Sequence, residues 1–381
     1  MKVEIKSLTF ICSEYFGWGG FYGGFGALTK TLAENLVKKG IKVHVLTPKR
    51  PSRKMDNYGE INGVKIHSFN SKIKLRLGLK MRELPDIPDT QIFHSQAANR
   101  WHNFFIKEKP NAIHLVTEQD PRPLMELKES YFPVYPKMKT LTWRLKFEAG
   151  QVLRKKLCQN ADRVYVQAKY IAEKVKRMAC LDYLPSFLPN PVSIAKTRIL
   201  KNEKPTVLFL GRWDPIKRPD IMLRIAEKLP AVHFICCGVA NPEFKHYSEP
   251  LIKKAGELEN VNYMGYVSGE RKSEVLNKSW LLLNTSSREC LPVTFLEAAA
   301  HKMSIVSPNN PDSFASHFGY KIQERENIKE YVDAINTLIL DDNWRLKGNL
   351  ARKYVQENHE LKHVIEEHVK IYNSWIEEKE T

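Results

Sequence analysis

Short apolar runs alternate along the chain with longer segments of helical periodicity. Leu28, Leu32 and Leu36, for example, recur at helical spacing after the first apolar run, and Gly40 ends that segment. Alternation of this kind is typical of parallel sheets covered by helices, so we predict an α/β protein. The apolar runs predict strands near residues 8–12, 43–47, 64–69, 113–117, 164–167, 206–210, 232–237, 262–266, 280–284 and 304–307.

The length of the chain and its prolines predict two domains. A chain of 381 residues exceeds the usual size of one core, and a hydrophobic content of 43% is ordinary for a globular protein. Prolines cluster within residues 185–191 and a polar stretch follows, which is typical of a linker. We therefore predict one domain over residues 1–190, a second over residues 191–360, and a C-terminal helix at about 361–381.

Positive charge follows one strand of the second domain. Arg212 and Lys217 lie in the segment LFLGRWDPIKRP, in a loop that begins at Gly211. Loops at the carboxyl ends of strands are where α/β proteins hold phosphorylated ligands. The two cations therefore predict a site for a phosphorylated ligand.

Two carboxylates follow another strand of the same domain. Glu289 lies in the loop of NTSSRECLPVTFLEAAAHKMSIV, and Pro292 and Thr294 predict the first turn of a helix that carries Glu297 about one turn further on. The free N–H groups of such a turn bind phosphate, assisted by the helix dipole. Two acids beside two cations suit a ligand that is anionic at one end and rich in hydroxyl groups at the other, such as a nucleotide-sugar.

In these segments the chain resembles the retaining glycosyltransferases of the group that includes glycogen synthase, sucrose synthase and bacterial lipid mannosyltransferases. Members share the GT-B architecture, two Rossmann-like domains facing across a cleft. The resemblance implies that Arg212 and Lys217 neutralise the donor diphosphate, that Glu289 contacts the donor sugar, and that Glu297 contacts the ribose. It also implies that the C-terminal helix packs back onto the first domain. Cys290 stands where relatives usually have a glycine.

Other segments carry further donor-binding residues by the same resemblance. Tyr266 and Val267 end a strand where relatives contact the nucleobase. Gly23, Gly24 and Gly26 lie in a loop that approaches the donor phosphates in relatives. The alternative is an ordinary glycine-rich turn between a strand and a helix. The residues expected to bind the donor in the second domain are Gly211, Arg212, Lys217, Gly238, Tyr266, Val267, Cys290, Leu291, Pro292, Thr294 and Glu297.

The first domain departs from the family after its fourth predicted strand. Relatives often carry a histidine there that contacts the donor sugar, but the corresponding position holds Val116 or Thr117. Glu118 and Asp120 follow and are our candidate catalytic acids on this side, the alternative being a polar loop. His114 is expected to be either a functional residue or a strand histidine whose ring is satisfied within the domain.

The chain has an excess of positive charge, which attracts polyanions. Lysine and arginine number 60 against 43 acidic residues, a formal net charge of +17. The basic residues are spread along the chain without zinc-finger spacing or an RNP-like segment, so we predict no nucleic-acid partner. At 71–85, cations alternate with apolar residues, which predicts either an edge strand or a patch that contacts an anionic membrane. Sedimentation with anionic and neutral liposomes separates these two interpretations.

Cysteine usage and hydropathy predict a location. The six cysteines show neither metal-ligand spacing nor a disulfide framework, which is typical of a reducing compartment. No apolar run is long enough to span a bilayer, and MKVEIKSLTF is not a signal peptide. We therefore expect a cytoplasmic protein, with possible peripheral contact at the inner face of the membrane.

Together these observations predict a retaining hexosyltransferase. It uses a nucleoside-diphosphate sugar as donor, requires no metal or other cofactor, and takes a glycan, a lipid-linked glycan or a small molecule as acceptor. Glu289, Arg212, Lys217, Glu118 and Asp120 are the predicted catalytic residues. Two alternatives stay open: a catalytically impaired nucleotide-sugar-binding protein, and a phosphorylase or epimerase of the same fold.

Overall fold

The protein forms two compact units. The computed structural model describes residues 4–19, 23–49, 54–70, 87–99, 101–194, 198–340 and 342–381. One unit comprises Met1–Pro121, Leu141–Pro191 and Lys362–Thr381, and the other comprises Arg122–Thr140 and Val192–Leu361. The basic and apolar stretch at 71–85 lies outside the described residues.

Strands and helices alternate along the chain. The strands are β1 (Ser7–Ile11), β2 (Lys42–Lys49), β3 (Tyr58–Ile61), β4 (Val64–Asn70), β5 (Ile92–Ser95), β6 (Ile113–Glu118), β7 (Arg163–Val166), β8 (Ser186–Phe187), β9 (Thr206–Leu210), β10 (His233–Cys237), β11 (Val261–Gly265), β12 (Leu281–Leu283), β13 (Ser304–Ser307) and β14 (Gly319–Lys321). The helices are α1 (Gly24–Val37), α2 (His102–Glu108), α3 (Leu124–Ser130), α4 (Leu141–Asn160), α5 (Ala172–Ala179), α6 (Pro219–Lys228), α7 (Lys245–Glu257), α8 (Gly269–Lys278), α9 (Val293–Ala300), α10 (Phe314–Phe318), α11 (Ile328–Leu340), α12 (Asn343–Asn358) and α13 (Leu361–Glu380).

Within the described residues each unit contains one sheet. The first sheet has the order β3-β4-β2-β1-β5-β6-β7-β8, and only the pair β3 and β4 is antiparallel. The second has the order β11-β10-β9-β12-β13-β14 and is parallel throughout. In the second sheet the chain moves outward from β9 to β11 and then returns to the other side of β9 with β12. The loops after β9 and β12 therefore border a topological switch point, where open α/β sheets bind ligands.

Each of the ten predicted strands overlaps an observed strand, whereas β3, β5, β8 and β14 were not predicted. The central strand β5 is buried along its whole length, yet it contains His94 and Ser95. His94 Nδ1 lies 2.8 Å from the hydroxyl of Tyr372, and Ser95 Oγ lies 2.8 Å from His102 Nδ1. These polar side chains are buried because they have partners outside the strand. The pattern of apolar residues shows no such partners, so it did not predict a buried strand here.

Helices cover the second sheet through apolar faces. Ile221, Met222 and Ile225 of α6 are buried against Val207 and Phe209 of β9. Burial of such side chains contributes about 1.5–3 kcal/mol each to folding. This core fixes the carboxyl end of β9 and the loop that follows it.

The C-terminal helix α13 packs within the first unit from Lys362 onward. The indole N–H of Trp375 donates to the hydroxyl of Tyr165 in β7 at 2.9 Å. Tyr372 on the same helix is fully buried.

Candidate active site

The loops after β9 and β12 are joined by hydrogen bonds. The Ser287 N–H donates to the carbonyl of Ile216 at 2.8 Å. The Thr285 hydroxyl lies 2.8 Å from the carbonyls of both Lys217 and Arg218. The structure thus brings the predicted cationic loop and the predicted acidic loop together at the switch point of the second sheet.

Asp214 organises the cationic loop. Its side chain is fully buried, and the N–H groups of Ile216 and Lys217 donate to its Oδ1, each at 3.1 Å. Carboxylates often accept such bonds from N–H groups two residues on. The sequence analysis did not select Asp214, although an aspartate before a proline in a loop is a recognisable turn signal.

Lys217 and Glu289 form an ion pair inside the site. The same Glu289 Oε1 accepts from the Ser286 hydroxyl at 2.6 Å and from the Asn284 amide at 3.1 Å. The Glu289 N–H donates to the side-chain oxygen of Asn309 at 3.0 Å. The acid is therefore held by its own loop as well as by the lysine.

These contacts decide the ionisation of Glu289. Burial raises the pKa of this carboxyl, but the charge and hydrogen bond of Lys217, with the bonds from Ser286 and Asn284, outweigh burial and leave the pKa below its ordinary value. Glu289 is therefore a carboxylate at neutral pH.

Arg212 lies on the same loop with an open side chain. It is 61% exposed, and its Nε lies 3.0 Å from Asp214 Oδ2, an ion-pair distance without hydrogen-bond alignment. A guanidinium fork presents several N–H donors to phosphate oxygens. The structure thus leaves Arg212 accessible to an anionic ligand.

Glycines bring three loops close together at this edge of the sheet. Gly238 has φ +135°, and a Cβ there would lie 1.8 Å from the carbonyl oxygen of Gly211, so only glycine fits. The Gly238 N–H donates to the carbonyl of Gly265 at 2.7 Å. Because β11 ends at Gly265, Tyr266 and Val267 follow the strand and do not end it as predicted; Tyr266 is exposed and Val267 is buried.

The helix after the acidic loop begins one residue later than predicted. Pro292 is the N-cap of α9, with extended backbone at φ −72° and ψ 141°, and so lies before the first turn. The missing N–H of Pro292 costs no hydrogen bond at the N-cap either, because the N–H groups without partners within the helix belong to the residues that follow it. Cys290 is not among the described residues with positive φ, so a side chain at this position needs no strained backbone. Leu291 is buried and Thr294 is partly buried.

Glu297 lies on α9 beside a lysine that the sequence analysis missed. Lys272 Nζ lies 2.6 Å from Glu297 Oε1, while Glu297 Oε2 is buried and has no hydrogen-bond partner within the described part of the chain. A buried oxygen without a donor costs free energy. Within the described residues the Glu297 carboxylate is thus held by Lys272 at one oxygen only.

In the first unit an acid lies at the start of α1. Gly23 is the N-cap of α1, and the Gly26 N–H donates to Glu14 Oε1 at 3.3 Å. A Cβ on Gly23 would lie 1.9 Å from the same oxygen, while one on Gly24 would meet nothing. The group that approaches Gly23 most closely is therefore a carboxylate of this chain, and the phosphate role of the three glycines stays a prediction.

Glu118 is buried at the end of β6 in contact with Arg154. Arg154 Nε donates to Glu118 Oε1 at 2.9 Å, its Nη2 pairs with Oε2, and the Ala98 N–H also donates to Oε1, at 3.2 Å. With 1% of its side chain exposed, Glu118 is held as part of the core of the unit. Asp120 is partly buried in the same loop. Both oxygens of Glu118 thus accept hydrogen bonds within the first unit, and the catalytic role of Glu118 and Asp120 stays a prediction.

Buried amides follow the strands of the first sheet. The Gln119 amide N–H₂ donates to Gln96 at 3.2 Å and to Asn190 at 3.3 Å, and Asn190 donates to Gln167 at 3.1 Å. Sequence reasoning missed this cluster, which lies at the carboxyl ends of β5, β6 and β7. These hydrogen bonds link the loops at that edge, while Gln96 Nε2 is buried without a hydrogen-bond partner among the described residues.

The ring of His114 is satisfied inside the first unit. Its Nδ1 lies 3.0 Å from His102 Nε2 and its Nε2 lies 2.8 Å from the carbonyl of Lys109. Burial lowers the pKa of His114. His114 is therefore a strand histidine whose ring is satisfied within the unit, which is the second of the two predicted alternatives.

The described residues contain no group of three or more His, Cys, Asp or Glu side chains placed to hold a metal ion. None of the helices in the described ranges combines the length and apolarity needed to cross a bilayer.

Comparison with known proteins gives a family for the second half of the chain. Residues 193–360 match the family described as Glycosyl transferases group 1. A D-inositol 3-phosphate glycosyltransferase of Mycolicibacterium smegmatis is 26% identical over 146 residues, which is 37% of this chain and 34% of the relative. The chain thus matches about a third of that relative's length.

Solved structures share the fold over nearly the whole chain. Sucrose-phosphate synthase from Thermosynechococcus elongatus superimposes with a TM-score of 0.72 at 16% identity, covering 97% of this chain and 99% of that one. HepE from Anabaena, solved with UDP and glucose, gives a TM-score of 0.68 at 12% identity and covers 97% and 100%. The chain therefore has the GT-B fold of two Rossmann-like domains, and its residues 193–360 match the glycosyl transferases group 1 family.

Proposed function

We propose that this protein transfers a hexose from a nucleoside-diphosphate sugar to an acceptor. The observation that supports the proposal most directly is the ion pair of Lys217 and Glu289 at the switch point of the second sheet. Breaking the bond between a sugar and a diphosphate places negative charge on the phosphate and positive charge on the anomeric carbon. A fixed cation beside a fixed carboxylate matches both ends of that bond.

Side-chain cations stabilise the leaving group in this proposal. Lys217 and the exposed Arg212 neutralise the diphosphate, and the free N–H groups at the start of α9 add to them. Because these groups supply the positive charge, the proposed reaction does not depend on a metal ion.

Carboxylates position the sugar side of the donor. Glu289 contacts the sugar and favours positive charge at its anomeric carbon, and Glu297 accepts a hydrogen bond from the ribose. Transfer proceeds with retention: the bond from the anomeric carbon to the diphosphate breaks, the acceptor oxygen bonds to the same face, and its proton goes to the leaving phosphate oxygen.

The first donors and acceptors to try follow from the comparisons. UDP is the nucleotide in the complexes of HepE, so UDP-sugars are the first choice. Acceptors are glycans, lipid-linked glycans or small hydroxylated molecules, and contact of the stretch at 71–85 with an anionic membrane stays one of its two interpretations.

Ligand-induced stabilisation tests the proposed function. A ligand that binds only the folded state stabilises it by about 2.7 kcal/mol at a hundred times its Kd. We expect UDP-, GDP- or ADP-sugars to raise the melting temperature by several degrees, with one nucleotide dominating. A panel in which no nucleotide-sugar shifts the transition contradicts the proposal.

A further inference from the structure

The segment Arg122–Thr140 belongs to the second unit, although the residues on both sides of it in the sequence belong to the first. Pro121 lies before it and Leu141 after it. We call it the 122–140 segment; it contains α3. The chain therefore leaves the first unit after β6, contacts the second unit, and returns at the start of α4.

One contact of this segment is with the loop of the candidate active site. The guanidinium of Arg288 donates to Glu126 Oε2 from Nε at 3.1 Å and from Nη2 at 2.9 Å. The Arg288 side chain is 11% exposed and that of Glu126 is 32% exposed. Charge-assisted hydrogen bonds at such partly buried positions are strong and weakly screened by salt. Arg288 directly precedes Glu289, so the pair holds the backbone next to the catalytic acid of the proposed function.

A second contact of this segment is between aromatic rings. The ring of Tyr135 meets the buried ring of Phe244 edge to face, with 5.2 Å between centroids. Burial raises the pKa of Tyr135, the charge of Asp214 in the cationic loop raises it further, and the charge of Arg212 lowers it. The segment therefore adjoins the loops that follow β9, β10 and β12.

We propose that the 122–140 segment is a wall of the donor site and that Glu126 is a positioning residue, which acts on the reaction by holding Arg288 and thereby the loop of Glu289. This inference rests on the proposed function. The loop of Glu289 is then anchored from two sides, by Lys217 and by Glu126.

Removing the charge of Glu126, and exchanging the charges of Glu126 and Arg288, test this proposal. In Glu126→Ala we expect kcat for sugar transfer to fall about ten-fold, because small displacements of catalytic groups are costly, while KM for the donor and the Kd of the nucleoside diphosphate change less than about two-fold. Hydrogen exchange in 122–140 and in 284–292 should become faster. The double variant Glu126→Arg with Arg288→Glu restores the pair in reverse and should recover most of the rate and the protection.

A matched pair elsewhere in the second unit provides the control. Lys254 Nζ lies 2.6 Å from Glu227 Oε1, away from the site loops, and Glu227→Ala should leave rate and exchange in 284–292 unchanged. Unchanged exchange and kcat in Glu126→Ala overturn the inference, as does a double variant no better than the single one. If the unmodified protein does not use any nucleotide-sugar, the proposed function fails, and the exchange measurement still decides whether Glu126 holds the loop.

Discussion

Lys217→Ala is expected to lower the rate of sugar transfer by about 10²- to 10³-fold, the loss typical of removing one preorganised donor to developing charge. Lys217 lies at the switch point and contacts Glu289, and in the proposed site it binds the leaving diphosphate. Arg212→Ala should also lower the rate strongly, because it removes the second cation of the same loop. The measurement is the initial rate of nucleoside diphosphate release with donor and acceptor present, together with the melting temperature of each variant.

A lysine outside the site serves as the control for these variants. Lys278 on α8 pairs with Glu274 at 2.5 Å and is about half exposed, and its replacement by alanine should leave the rate unchanged. Full activity in both Lys217→Ala and Arg212→Ala contradicts the assignment of the diphosphate to this loop.

Glu289→Gln is expected to reduce transfer by about 10²-fold or more while the Kd of the nucleoside diphosphate stays within about three-fold of its original value. The substitution keeps the size of the side chain but removes the negative charge that favours the positive anomeric carbon. The pKa of Glu289 is held below its ordinary value, so the charge lost is present at neutral pH in the unmodified protein. Isothermal titration with the nucleoside diphosphate and rate measurements with the full donor separate binding from chemistry.

Glu297→Gln, on the helix that follows the Glu289 loop, provides a comparison with Glu289→Gln. Because the proposed contact of Glu297 is the ribose, this substitution should weaken nucleotide binding more than it slows the chemical step. A Glu289 variant that loses nucleotide affinity and transfer to the same degree argues against a role at the sugar.

The sequence predicted the parts of the site whose signals are local. Strands β9 and β12, the loops after them, and the group of Lys217, Arg212 and Glu289 follow from short motifs, because a strand, a loop and a helix start are each encoded within a few residues. The position of Pro292 was wrong by one residue, since a proline suits the N-cap as well as the first turn.

Contacts between distant parts of the sequence were not predictable in the same way. Glu118 pairs with Arg154, 36 residues away, and Glu126 pairs with Arg288, 162 residues away. Neither pair leaves a periodic pattern, so Glu118 was expected to face a ligand and Glu126 was not considered. Glu14 at the start of α1 is a similar case, because only the folded loop brings its carboxylate to the glycines.

The location of a bound nucleoside diphosphate is the measurement that tests the central claim most directly. In a crystal structure with the nucleotide that stabilises the protein most, we expect diphosphate oxygens within hydrogen-bond distance of Lys217 and Arg212, with the sugar end of the site bordered by Glu289. A diphosphate bound elsewhere, with Lys217 paired only to Glu289 and Arg212 turned to solvent, contradicts the account.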